Sequence, residues 1–445
     1  MRAVRQDILE RAEVLRPYER HVRLVWREIR RRGVVDWTWS HLKPFIGGKA
    51  LRKAAARMKK AIRHLAFQAV RRPGLALLRG LRKLPIVRDR VIPSLLKQEL
   101  DQIPAAPVVA EVNRELAKLR KSSAPIIIGP WLSEVGYELL YWIPMLNWAL
   151  KAGKLEQRRL IVISRGGAKP WYQHLGAEYV DVFDLLTVDE YRQQNEQRWA
   201  ELGHQKQSEI SAMDRELIGK AKKKLGLHAA DVLHPSLMYR LLRFYWFEKA
   251  GVGLLTKHTE YKRLAPIDGI KWTKDLPDSY VAVRFYFRPS FPDTPENRRF
   301  AADAVRALSR EVPVVLLNTG ISVDDHEDLQ VAGGMGVYRV DHLMTPENNL
   351  AVQTEIISRA RAFVGTYGGL AYLAPYYGVP SVGFYANETE LVPVHIDVGW
   401  RLGRAMNAPV STVDARTTDL LRSVLGGAST EPVVAQTLSG LRGRA

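Results

Sequence analysis

The chain has 445 residues, a formal net charge of +20, 46% hydrophobic residues and no cysteine. That length suits two or three domains, and the apolar fraction is enough for a large core. The lack of cysteine excludes disulfides, thiolate nucleophiles and cysteine-held zinc, and fits a reducing compartment.

The charge is concentrated at the start of the chain. Residues 1–125 carry 30 Lys and Arg against 11 Asp and Glu, whereas the other 320 carry 37 against 36. Residues 37–88 hold 14 Lys and Arg and no acid. Within them Leu51, Ala54, Met58, Ile62 and Leu65 recur every three or four positions, which predicts a helix flanked by Lys53, Arg57, Lys60 and Arg63. Residues 1–15 are charged throughout and lack the apolar run of a secretory signal. A basic amphipathic helix can lie on an anionic membrane surface, with Trp37, Trp39 and Phe45 as interfacial aromatics. The plainer reading is a solvated helical hairpin packed on the body. Nucleic acid ranks last as a partner, because no binding motif accompanies the charge.

After this basic helical segment, residues 1–120, two α/β series are expected. The first has strands at 125–128, 159–164 and 179–183, with helices over 137–151 and, after Arg165, Gly166 and Gly167, through 174. Residues 188–227 read as polar helix, 235–250 as an aromatic-rich helix and 255–277 as a link. The second series has strands at 281–285, 313–317, 336–340, 362–364 and 380–384, and helices at 295–310, 348–361 and 369–377. Helices at 413–425 and 432–441 are expected to close the chain. Strands alternating with helices imply parallel sheets, so the fold class is α/β with two Rossmann-like domains, 121–265 and 266–445. The uncharged run 362–387 is long enough to cross a bilayer, but its five glycines and two prolines read as strand, turn, helix, turn, strand.

Three strings carry candidate chemistry. The first spans 363–384 and holds Gly365, Thr366, Tyr367, Gly368 and Gly369 between a strand and a helix. Such glycines let backbone approach a ligand, and amides opening a helix suit a phosphate. The second places Arg284 and Arg288 at a strand end, where guanidinium groups can grip phosphate oxygens. The third runs from Gly129 through Trp131, Glu134 and Gly136 to Glu138, with Pro144 beyond. Either carboxylate suits a general base, and either suits a helix-capping role. Both readings stay open for Glu134 and Glu138. The acidic cluster at 323–328 reads as a solvated turn rather than a metal site. No zinc pattern, P-loop or Asp-x-Asp pair occurs.

The string 363–384 resembles the donor-side signature of GT-B glycosyltransferases, closest to heptosyltransferase-like and fucosyltransferase-like bacterial enzymes of surface polysaccharide. Glu138 and Pro144 resemble the heptosyltransferase arrangement of an acid soon after a glycine. They depart from it in having Tyr137 between Gly136 and the acid, and Glu in place of Asp. The resemblance implies sugar transfer from a nucleotide-sugar to a glycan or lipid-linked acceptor, without a metal or resident cofactor. It implies a donor site at Arg284, Arg288, Asn318, Gly320, Thr366, Tyr367, Gly368, Gly369 and Glu388. It puts the acceptor beside Gly129, Trp131 and Gly136 in the domain 121–265. A cytoplasmic enzyme, peripheral on the inner face of the cell membrane through residues 37–88, follows as an expectation. A polysaccharide pyruvyl transferase, or a non-catalytic scaffold with the same fold, are the alternatives.

Overall fold

A computed structural model describes residues 105–417, apart from 203, 205, 322–326 and 329–333. The basic stretch 37–88 and the helix expected at 432–441 lie outside the described residues, as does most of the acidic cluster at 323–328.

The described body opens with helix α1, Ala106–Lys121, which buries Val112, Leu116 and Leu119. Pro107 lies in its first turn, where a fixed φ favours the helix and a missing N–H costs nothing. The guanidinium of Arg158 donates to Leu119 O at 2.7 Å and so ties the end of α1 to the first sheet.

That sheet is parallel throughout, in the order β3-β2-β1-β4. Its strands are β1 Ile126–Ile128, β2 Leu160–Ser164, β3 Glu178–Asp181 and β4 Asp231–Leu233. Every residue of β1 and β2 is buried, as expected where helices cover both faces of a parallel sheet. Sequence reading missed β4, because three residues with two apolar side chains are too short a pattern. The helix expected over 137–151 is composite: one α turn at Val135–Tyr137, a π-helical turn at Glu138–Trp142, then α2 at Ile143–Gly153. The helix expected after Gly167 through His174 is instead two 3₁₀ turns, Lys169–Trp171 and Gln173–Leu175. Four further helices follow around β4: α3 Val188–Leu202, α4 Ala212–Lys224, α5 Ser236–Trp246 and α6 Val252–His258. A reciprocal cap between Ser211 and Asp214 starts α4.

The second sheet has six parallel strands in the order β12-β11-β10-β5-β7-β9. The strands are β5 Val281–Arg284, β7 Val314–Leu316, β9 Val337–Arg339, β10 Ala362–Thr366, β11 Ser381–Tyr385 and β12 Val410–Asp414. A short antiparallel pair, β6 Tyr286–Phe287 and β8 Glu327–Asp328, stands apart from it. Helices α7 Pro295–Glu311, α8 Asn349–Arg359, α9 Gly369–Leu373 and α10 Pro393–Met406 complete this half. The start of the helix expected over 413–425 is corrected: residues up to Asp414 pair with β11, and the β-branched run Val410, Thr412, Val413 favours a strand, while 418–425 lie outside the described residues. Helix α10 was not anticipated, although Val398, Leu402 and Met406 recur every fourth position on its buried side.

Chain direction in this sheet decides where a ligand can sit. From β5 the chain moves outward through β7 to β9, then returns to the other side of β5 for β10, β11 and β12. The order therefore reverses between β5 and β10. The crevice at the carboxyl ends of such a pair is the usual ligand position in doubly wound sheets. One hydrophobic core runs through both halves and includes Ile126, Leu140 and Met145 as well as Phe363, Leu373 and Tyr376. The hydroxyls of Tyr376 and Tyr261 donate across it to Leu139 O and Leu140 O, at 2.6 and 2.9 Å.

Candidate active site

The reversal between β5 and β10 brings Arg284 and Thr366, the last residues of the two strands, side by side. Gly365 pairs with Arg284, and a Cβ at Gly365 would collide with Arg284 O, so no other residue fits. Thr366 is buried, and its Oγ1 accepts from Tyr286 N at 3.0 Å and donates to Tyr286 O at 2.8 Å. This clamp holds the chain after β5 against the end of β10. Gly368 then turns with φ 144°, and a Cβ there would strike the Tyr286 hydroxyl and approach Arg288 Nη1 to 3.0 Å. The glycine loop and Arg288 are thus in direct apposition.

Across from them stands the loop after β1. Glu134 precedes the first helical turn with extended backbone, yet its side chain caps nothing. Gly136 and Gly369 meet back to back: a Cβ at Gly136 would lie 3.8 Å from Gly369 N, and one at Gly369 would lie 2.8 Å from Val135 Cγ1. A cavity of about 240 Å³ opens between the two loops. Glu134, Gly136, Tyr137, Arg165 and Lys206 line it from the first half. Arg284, Arg288, Thr319, Tyr367, Gly368, Gly369, Glu390 and His395 line it from the second.

The cavity is electropositive at its base. Arg284 donates to Gln353 Oε1 at 2.7 Å and lies 5.4 Å from the centre of the Tyr286 ring. Arg288 Nε is buried without a hydrogen-bond partner among the described residues. Burial opposes its charge, but Tyr286 and Glu134 outweigh that and hold its pKa above the usual arginine value. Arg165 is buried and donates to Ser133 O at 3.2 Å. The Lys206 ammonium sits 5.1 Å over the Tyr137 ring. Four cations against Glu134 and Glu390 suit a ligand with more than one negative charge. Among the described residues no group of three or more His, Asp and Glu could hold a metal ion.

The expected site residues divide clearly. Glu134, Gly136, Arg284, Arg288, Tyr367, Gly368 and Gly369 line one cavity. Thr366 acts one step back through its clamp on Tyr286. Asn318 and Gly320 flank Thr319 and are not part of the cavity wall themselves. Glu388 points to solvent and pairs with Arg416 at 3.4 Å, while Glu390 and His395 of the same stretch reach the cavity. Trp131 is fully buried between Trp142 and Tyr239, with ring centroids 6.0 and 6.3 Å away. Gly129 is structural, since a Cβ there would lie 2.5 Å from Ile163 O.

Glu138 does not reach the cavity. It is 1% exposed and turned into the first half, where Ser164 donates to it at 2.8 Å and the Tyr172 hydroxyl donates to the same oxygen. Burial pushes its pKa up to about 7, against the hydrogen bonds from Tyr172 and Ser164. Sequence reading did not single out Arg165, Lys206 or Tyr137. For Arg165 a signal existed: a cation directly after a buried strand and before two glycines.

No family model matches the chain, and no curated protein matches it. Solved structures do. A glycosyl transferase family 9 protein from Veillonella parvula DSM 2008 is 12% identical, with a TM-score of 0.37 over 69% of this chain and 90% of that one. The E. coli heptosyltransferase WaaC with ADP is 13% identical, with a TM-score of 0.33 over 67% of this chain and 97% of that one. The iron-containing dodecameric glycosyltransferase TibC from enterotoxigenic E. coli H10407 is 13% identical, with a TM-score of 0.33 over 59% and 58%. The chain is similar to these in fold.

Proposed function

We propose that this chain transfers a sugar from a nucleotide-sugar to a glycan or lipid-linked acceptor, without a metal. One observation carries the reading. A carboxylate that caps no helix, Glu134, faces Arg288 and the Gly368–Gly369 loop across a single cavity at the strand-order reversal. The diphosphate of the donor would lie on Arg288, Arg284 and the loop amides, whose charge and donor geometry suit phosphate oxygens. The acceptor would enter from the side of Glu134.

Glu134 takes the acceptor hydroxyl proton as the acceptor oxygen bonds the sugar's anomeric carbon. The bond from that carbon to the diphosphate breaks, and the nucleoside diphosphate leaves with the electron pair. Arg288 and Arg284 stabilise the charge that develops on it. Glu138 is given no proton-transfer role, because it is buried, accepts from Ser164 and Tyr172 at Oε1, and does not line the cavity. No helix among the described residues is long and apolar enough to cross a membrane. An acceptor on an anionic membrane surface, reached through residues 37–88, belongs to this proposal.

A thermal-shift screen against nucleoside diphosphates and nucleotide-sugars tests it. A ligand at about 100 times its Kd should stabilise by about 2.7 kcal/mol. The shift should be selective for one base and fall to about half or less in Arg288→Ala. No shift with any nucleotide would sink the reading.

A further inference from the structure

Two tyrosines of the first half share one imidazole of the second. His395, in the first turn of α10, places Nε2 3.0 Å from the Tyr137 hydroxyl and Nδ1 2.5 Å from the Tyr141 hydroxyl. All three side chains line the cavity. The imidazole is packed among the Tyr137, Tyr141 and Trp246 rings, with centroids 5.1, 5.4 and 6.4 Å away. Burial, with Lys206 and Arg288 facing it, lowers the His395 pKa to about 3, so the ring is neutral.

A neutral imidazole has one N–H and one lone-pair nitrogen. One tyrosine must therefore donate to the ring, and the other must accept from it. The accepting tyrosine keeps its own proton, and a buried hydroxyl proton with nothing to bond is costly. Tyr141 is fully buried, so its proton needs a partner inside the protein, and Nδ1 supplies one. Tyr137 follows Gly136, which abuts the Gly368–Gly369 loop, and it lies in the field of Glu134 and Arg288. No other hydrogen-bond partner of its hydroxyl occurs among the described residues.

We infer that His395 is the Nε2–H tautomer, that it donates to Tyr137, and that Tyr137 offers its own proton to the diphosphate of a bound nucleotide. This rests on the proposed reading of the cavity as a nucleotide-sugar site. Tyr137 is then a diphosphate-binding residue supplied by the first half to a ligand otherwise held by the second. His395 is a positioning residue, and the contact exists only where the two halves meet.

Two measurements on the full chain test this. The first is the ¹⁵N spectrum of histidine-labelled protein, with the His395 signals assigned by their loss in His395→Gln. The Nε2–H pattern is expected, and the Nδ1–H pattern would overturn the inference. The second is titration with ADP, GDP, UDP and CDP. A wild-type protein that binds none of them refutes the nucleotide-sugar reading, and the inference falls with it. Where one binds, Tyr137→Phe should weaken it about tenfold to a hundredfold, as loss of a hydrogen bond to a charged group does. His395→Phe should lose a similar factor, and the double variant no more than either alone. His395→Gln, which retains one donor and one acceptor, should recover most of the loss. Binding by Tyr137→Phe within about twofold of wild type, or losses that multiply in the double variant, would overturn the inference and leave the nucleotide site standing. Should His395→Phe fail to fold, the tautomer and Tyr137→Phe decide the matter.

Discussion

Each half of the molecule presents a pair of like charges four residues apart, and the two pairs behave differently. Arg284 and Arg288 leave the end of β5, and both reach the cavity. Glu134 and Glu138 follow β1, but only Glu134 reaches it; Glu138 turns into the first half. The reason is local geometry. Arg284 ends a strand at the order reversal, and the Thr366 clamp on Tyr286 brings the chain carrying Arg288 back over the same crevice. Glu134 is extended backbone ahead of the helix, whereas Glu138 opens a π-helical turn packed on β2 and Tyr172. Equal spacing in sequence therefore gives a shared ligand site in one half and, in the other, one cavity-facing carboxylate and one core carboxylate.

Removing the proposed base would test that contrast most strongly. Glu134→Gln should lower kcat by about 10² to 10⁴ with the fold intact, the range expected for loss of a general base. Glu138→Gln should change kcat by severalfold at most. The reverse pattern, measured by steady-state kinetics with the nucleotide-sugar found by thermal shift, would exchange the two roles.

The buried member of the pair has its own signature. Its folded pKa, about 7, lies above the ordinary 4.5. The neutral carboxyl is therefore compatible with the fold below about pH 4.5, and that stability is lost as pH rises through 7. The loss approaches about 3 kcal/mol by pH 8, on the scale of 1.36 kcal/mol per unit. Glu138→Gln does not titrate, and its amide oxygen can still accept from Ser164 and Tyr172. The Tm of wild type relative to Glu138→Gln should fall between pH 5 and 8. A difference that is flat across that range would remove Glu138 from the core account.

The arginine pair should show a smaller, graded effect. Arg288→Ala should weaken nucleoside diphosphate binding about tenfold to a hundredfold, the cost of a charged hydrogen-bond partner. Arg284→Ala should cost less, because Arg284 already donates to Gln353. Isothermal titration of both variants would reveal equal losses if the pair acted as one unit. The smallest effect is expected at Thr366→Val, which keeps the shape and deletes both bonds of the clamp. Loss of the clamp should destabilise the fold by about 0.5–1.5 kcal/mol, read by urea unfolding.

Much of the architecture was legible because buried parallel strands are continuous apolar runs. The strings III, LIVIS, VAVR and AFVGT announce β1, β2, β5 and β10 without help from their neighbours. The glycine string at 365–369 was legible as a close-approach loop for the same reason, since glycine's use there follows from its missing side chain. Three-residue β4 falls below any periodic signal, and the helix expected over 413–425 overlaps only the last two residues of β12, whose β-branched residues pair with β11. Among the site residues, the arginines and the glycine loop were found by type and position. Tyr137 and Lys206 are not among the expected site residues because nothing in their immediate sequence says which way they face, whereas Arg165, a cation between a buried strand and two glycines, carries a signal.

The sequence by itself determined that the body is α/β, that two strand–helix series follow one another, and that a glycine loop and two arginines lie at strand ends. Those properties are local, set by apolar runs, glycines and charge along a few consecutive residues. Tertiary structure alone decided which carboxylate faces the arginines, that Trp131 is core and Glu388 is solvent-exposed, and that His395 joins Tyr137 and Tyr141. These depend on strand order and on the meeting of residues distant in the chain, 258 positions between Tyr137 and His395, which no local pattern encodes.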